Sequence, residues 1–135
     1  MTTRLIARVM SAVRDEELDV LEAGFAGNGN GTGFAFIVMR SADEPDHDDV
    51  RMGWDSYCLT TAEGLTYYGG LESVALEDRR LVLRLSSEAA DTLELDRDVE
   101  VELQVDADER RDFRELFPGI VLWGREDARP SLSGF

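Results

Sequence analysis

The chain has 135 residues, with 14 Lys plus Arg against 29 Asp plus Glu and a formal net charge of -15. A surplus of that sign opposes binding to nucleic acid or an anionic membrane and favours a basic partner. The single Cys excludes an internal disulfide, and with no N-terminal apolar run and no span of transmembrane length a cytoplasmic protein is expected.

In chain order, Arg4 to Val13 alternates with period two, setting Leu5, Ala7, Val9 and Val13 against Arg4, Arg8 and Arg14, and predicts a first strand. Asp15-Glu16-Glu17 interrupts it, and Leu18 to Ala26 resumes as a strand ahead of the Gly/Asn stretch 27–33. That stretch reads as a loop. It lacks the Lys-Ser/Thr ending and the following helix that a phosphate-cradling loop needs. Phe34 to Arg40 is almost wholly apolar, which predicts a central strand covered on both faces.

Ser41 to Asp49 concentrates Asp43, Glu44, Asp46, Asp48 and Asp49 around the only His, His47, and Pro45 argues for a loop. The spacing matches neither a calcium loop nor a His-Glu-x-x-His pair. Three readings follow: a solvated acidic loop, a partner-facing patch, or a metal or catalytic site. The stretch Gly53 to Leu71 predicts a β-hairpin turning at Ala62-Glu63-Gly64. It holds Trp54, all three Tyr and Cys58, and its Gly69-Gly70 pair signals a bend or a close backbone approach.

Leu71–Leu76 and Leu81–Leu85 flank Glu77-Asp78-Arg79-Arg80 as a second hairpin, with Ser86 or Ser87 capping a brief helix over 88–93. Val99 to Val105 alternates without exception and turns Glu100 and Glu102 outward. Asp106 or Asp108 then caps a helix striped by Phe113, Leu116 and Phe117 and ended by Pro118-Gly119. Residues 120–123 form an edge strand or an apolar anchor. The expected architecture is α+β, a mostly antiparallel sheet of about six to eight strands with two short helices in the C-terminal half. Residues 1–123 make a single domain and 124–135 a loosely held tail.

The motifs Trp54-Asp55-Ser56-Tyr57-Cys58-Leu59 and Tyr67-Tyr68-Gly69-Gly70-Leu71-Glu72-Ser73, and the Leu-x-Leu-x-Leu strand leading into Ser86-Ser87-Glu88-Ala89-Ala90, resemble the Imm10 group of immunity proteins from bacterial polymorphic toxin systems. The resemblance spans roughly residues 25–116. It implies a small cytoplasmic α+β protein without enzymatic activity that binds a toxin domain and blocks it. It carries no established binding residues with it and leaves the toxin open, nucleases being a common class.

Charge and resemblance converge on a binder of a basic toxin domain, with long-range attraction speeding encounter and aromatic anchors slowing release. The candidate partner-binding residues are Asp43, Glu44, Asp46, Asp48 and Asp49, with Trp54, Tyr67 and Tyr68 as anchors; Glu100 and Glu102 are a second anionic element. Strand alternation would put Trp54, Ser56 and Cys58 on one face and separate Tyr67 from Tyr68, so some of these aromatics belong to the core. No catalytic residue, metal site or cofactor is assigned, and the oligomeric state is left open. A small-ligand-binding or structural α+β domain is the alternative. A carboxylate-based hydrolase is a weaker one, and the double change His47→Ala with Cys58→Ser would discriminate a Cys/His chemistry from binding.

Overall fold

The N-terminal alternation does not run through as one strand. In the structure, a computed structural model in which residues 1–29, 33–43 and 46–135 are described, it divides at Arg8 into β1 (Thr2–Ala7) and β2 (Val9–Asp15). The inward phase switches there: Ala7 and Met10 are buried while Val13 is exposed, so odd positions face the core before Arg8 and even ones after it. Each side chain keeps period two, but the chain crosses between sheets at this point. β1 pairs in parallel with a late strand, whereas β2 pairs antiparallel with β3 (Val20–Ala26).

One sheet is a meander in the order β2-β3-β4-β5-β6, with β4 spanning Ala35–Ser41, β5 Cys58–Thr61 and β6 Thr66–Tyr68. The other has the order β1-β9-β8-β7-β10, with β7 at Leu71–Leu76, β8 at Arg80–Leu85, β9 at Asp98–Leu103 and β10 at Ser131–Ser133. We call them the meander sheet and the mixed sheet. The chain crosses from the first to the second at Gly69-Gly70. Both glycines have positive φ, +76° and +93°, and a Cβ on Gly70 would sit 2.6 Å from the Ala89 Cβ. This is the close approach the dipeptide predicts.

Both hairpins form as expected, β5 with β6 and β7 with β8. Helix α2 (Ser87–Leu93) is capped by Ser86, whose Oγ accepts the Ala89 N–H. Helix α3 (Ala107–Val121) begins with a capping box between Asp106 and Glu109. Pro118 does not end it. The ring leaves one carbonyl without its helical donor, but Ile120 and Val121 beyond it are fully buried, and their apolar burial outweighs the lost bond. Residues 120–121 are therefore helical and not an edge strand.

The core lies between the two sheets. It joins Met10, Phe25, Phe36 and Leu59 of the meander to Leu81, Leu83, Leu85 and Val101 of the mixed sheet, with Phe113 and Phe117 of α3 among them. The segment expected to be a loose tail is docked here. β10 pairs with β7, and Phe135 stacks on Phe117 at 5.2 Å between ring centroids. Its few apolar residues find an open strand edge and a gap beside α3, a tertiary effect that local composition does not encode. The class is thus α+β and mostly antiparallel, with α2 and α3 in the C-terminal half; among the described residues the strands number ten in two sheets.

Candidate functional site

The acidic segment is not wholly a loop. A six-residue helix, α1 (His47–Met52), forms because Asp46 and Asp49 make a reciprocal capping box: each carboxylate accepts the backbone N–H of the other. Gly53 closes it in the left-handed conformation, φ +78°. The Trp54 backbone N–H then bonds the Asp49 carbonyl at 2.8 Å, which fixes the backbone of Trp54 at the end of the helix. No residue of α1 is buried. A helix this short that contributes nothing to the core stands as a surface feature held by its caps.

Strand structure begins only at Cys58, so the alternation expected from Gly53 onward fails for residues 54–57. Ser56 and Tyr57 are both buried and Trp54 is 46% exposed. Trp54 stacks on Tyr68, centroids 6.4 Å apart and planes at 27°. Tyr68 is itself 39% exposed. Its hydroxyl is pushed up chiefly by burial, then by Cys58 and the negative charge of Asp49. Tyr67 points the other way. Half-buried and packed against the core, its hydroxyl is raised by burial and by the neighbouring Glu88.

The candidate residues therefore divide. Trp54, Tyr68, Asp46, Asp48 and Asp49 come together around α1, with Asp43 in the bend that follows β4; Tyr67 is on the opposite face, and Glu44 lies outside the described residues. Val50 and Met52, which the sequence reading passed over, are 56% and 54% exposed on α1. The Asp-x-x-Asp spacing of 46–49 was the signal for that helix. Asp48 meets Arg51 at 3.2 Å, while Asp43, Asp46 and Asp49 have no ion pair among the described residues.

Beneath this surface Tyr57 fastens three segments. Its hydroxyl donates to the Ala128 carbonyl at 2.6 Å and accepts the Leu71 N–H at 3.0 Å. Arg125 reinforces the joint: its N–H bonds the Asp55 carbonyl at 2.8 Å, and its guanidinium faces the Asp55 carboxylate at 3.8 Å. The docked C-terminal segment thus holds the stretch that presents Trp54.

Glu100 and Glu102 are differently placed. Glu100 pairs with Arg4 at 3.3 Å and Arg80 at 3.7 Å, and Glu102 accepts from Gln104. A shallow depression of about 560 Å³ lies over them, and its carboxylate and guanidinium groups largely neutralise one another. Cys58 is half-buried, with its thiol pushed up by burial, which disfavours the nucleophilic thiolate. Among the described residues no group of three or more His, Cys, Asp or Glu side chains could hold a metal ion, and no helix is long and apolar enough to cross a membrane.

The fold is α+β, and it exposes a stacked aromatic pair beside carboxylates that have no ion pair among the described residues. The chain belongs to the Imm10 family, Immunity protein 10, whose family model matches residues 6–111. It is an immunity protein, and the family's role implies a toxin as binding partner. Comparison with curated proteins and with solved structures found no match.

Proposed function

We propose that this chain neutralises a basic toxin domain in the cytoplasm, a nuclease being the class whose phosphate-binding cleft best suits it, by stoichiometric occlusion with an acidic surface. The observation that carries this reading is the surface around α1. There Trp54 and Tyr68 are exposed and stacked beside Asp43, Asp46 and Asp49, acids without an ionic partner among the described residues. Carboxylates left free attract and orient a cationic partner, and the desolvated aromatic pair slows its release. No catalytic step is assigned to the chain.

The test is co-expression with a C-terminal toxin domain encoded beside this gene, scored by growth rescue and by titration of the purified proteins. Converting Asp43, Asp46, Asp48 and Asp49 to Asn and Glu44 to Gln should slow association about tenfold or more at low salt and flatten its salt dependence. Asn retains capping ability at 46, so α1 should survive the change. Association kinetics that do not move would place the contact elsewhere. Absence of both rescue and binding, with a folded protein and an active toxin, would withdraw the reading for that pair.

A further inference from the structure

Phe34 to Arg40 was expected to form a strand covered on both faces, and only one face of β4 is covered. Phe36 and Val38 are buried with the core, whereas Ile37 and Met39 are half-buried on the other side of the sheet. The same holds across the meander. Its registers place Val13, Glu22, Met39, Cys58 and Tyr68 in one cross-strand row of the outer face. Ser11, Gly24, Ile37, Thr60 and Thr66 form the next row. Helix α3 lies on the inner side, where Phe113, Phe117, Ile120 and Val121 are buried with Met10, Leu21 and Phe25. These two rows contain one charge, Glu22, in a chain that is 32% charged.

The mixed sheet makes the contrast. Its outward positions include Arg4, Glu100, Arg84 and Asp98, and they pair with one another, Arg4 with Glu100 at 3.3 Å and Arg84 with Asp98 at 3.4 Å. That face is satisfied in water. The outer face of the meander is not: of the nine exposed large hydrophobic side chains among the described residues, six (Val13, Leu18, Val50, Met52, Trp54 and Tyr68) lie on it or at one end of it. Scattered apolar residues need no explanation, but a concentration on one face marks an interaction surface.

That end also gathers the acids. The end of β2 and the β2–β3 turn supply Asp15, Glu16, Glu17 and Asp19, and the Ala42 N–H bonds the Asp19 carbonyl at 2.9 Å, which joins the turn to the segment carrying Asp43 and α1. At the other side, Gly24 leaves a depression of about 150 Å³, bordered by Ser11, Glu22 and Ile37, with room for one partner side chain. A Cβ at Gly24 would meet the Phe36 carbonyl oxygen at 2.6 Å, so the position holds only glycine and contributes no side chain to the face. The seven-residue strands β2 to β4 and the shorter β5 and β6, spaced ~4.8 Å apart, give the face roughly 300 Å². α1 and the acidic turn extend it toward the ~800 Å² per partner of a standard interface.

We infer that the outer face of the meander sheet, from Ser11 and Val13 across Met39 and Thr60 to Tyr68 and Trp54, is the docking platform for the toxin, and that the matching toxin surface is an apolar patch flanked on one side by cationic side chains. The inference rests on the immunity reading and enlarges its footprint from α1 to a whole sheet face.

Three Arg substitutions test it: Thr60→Arg on β5 within the face, Ser11→Arg at an exposed position beside the Gly24 depression, and Val82→Arg on the outer face of the mixed sheet, where Glu100 lies opposite. Folding is checked by circular dichroism and thermal denaturation; Ser11 is exposed, so its variant folds even where Thr60→Arg fails. Against the purified toxin domain, Thr60→Arg and Ser11→Arg should each weaken affinity at least about tenfold, through faster dissociation, and Val82→Arg should leave it unchanged. If both face variants bind like the parent while the five-acid variant loses binding, the platform is wrong and the immunity reading stands. If the unmodified protein neither binds nor protects, the reading itself fails. If the protein sediments as a dimer that Ser11→Arg dissociates with toxin affinity intact, the face belongs to a second copy and the inference is overturned.

Discussion

Tyr57→Phe removes one oxygen from the joint that ties β7, the C-terminal segment and the stretch bearing Trp54. The ring stays, so the core keeps its packing. What is lost is an acceptor for the Leu71 N–H at 3.0 Å and a donor to the Ala128 carbonyl at 2.6 Å, in a site with no solvent exposure. Stranding buried backbone groups costs about 1–3 kcal/mol. With an unfolding entropy of ~2.1 cal/mol/K per residue, about 0.28 kcal/mol/K over 135 residues, a loss of ~2 kcal/mol lowers Tm by roughly 7 °C. The same residue predicts an alkaline signature. Burial, opposed in part by the Leu71 N–H, pushes the Tyr57 hydroxyl from 10.0 up to about 12. Below pH 10 both states hold the proton; between 10 and 12 the unfolded chain loses it first, so stability falls as pH rises through that window. At ~1.36 kcal/mol per unit the fall is at most about 2.7 kcal/mol. Chemical denaturation at neutral pH and at several points from pH 10 to 12 measures both. In the Phe variant the alkaline loss should shrink without disappearing, because Tyr67 and Tyr68 are also raised. An unchanged Tm at neutral pH together with parallel alkaline losses in the two proteins would refute the joint.

Two glycines should behave oppositely. Gly124→Ala puts a Cβ into the Asp55 carbonyl at φ +81° and should destabilise by at least about 2 kcal/mol, whereas Gly119→Ala, in α3 with nothing within 4 Å, should stabilise by roughly 0.5–1 kcal/mol. Equilibrium denaturation separates them, and equal signs would count against the backbone account. Deleting residues 131–135 removes β10 and the half-buried Leu132 and Phe135, about 1 kcal/mol each, so thermal denaturation should show a loss of ~2 kcal/mol. A deletion without effect on Tm would show that the C-terminal segment contributes nothing to the fold.

What the sequence made legible were the features set by near neighbours. The Leu81/Leu83/Leu85 and Val99/Val101/Leu103 alternations, the Ser86 cap and the Gly69-Gly70 bend all depend on residues within a few positions, and all are present in the structure. The divisions that matter for the site depend on distant partners. Nothing local at Arg8 announces that β1 will pair with β9, a separation of 96 positions (Thr2 with Asp98), and so the phase switch is invisible until the sheets are known. Pro118 reads as a helix stop unless one knows that Ile120 and Val121 have a core to enter. Trp54 was read from strand alternation that begins only at Cys58; the capping box that builds α1, and so sets Trp54 outside, was present in the spacing of Asp46 and Asp49. Likewise the apolar character of residues 34–40 was legible, but an apolar strand does not reveal whether its second face is covered by this chain or left for another.

The two sheets treat charge in opposite ways, and this bears on how binding would proceed. On the mixed sheet each outward Arg of the Arg4, Arg80 and Arg84 set faces a carboxylate, so that face generates little field beyond a few ångströms. At the end of the meander, Asp15, Glu16, Glu17, Asp19, Asp43, Asp46, Asp48 and Asp49 gather with Arg51 as their one ion-paired cation among the described residues. The chain's surplus extends to Glu63, Asp91, Glu94, Glu115 and Glu126, but eight acids concentrated at one end bias the field toward that end, and a biased field orients an incoming cationic surface as well as attracting it. The rows beside it, with Glu22 as their one charge, exert little pull at distance and act mainly on contact. Under the proposed reading the acids should therefore govern association and its salt dependence, and the sheet face dissociation, so that Asp-to-Asn and Ser11→Arg changes should combine almost additively in free energy while appearing in different rate constants. A double variant whose loss falls far short of the sum would mean that the two elements act as one contact, and the division of labour between the charged end and the sparsely charged face would be wrong.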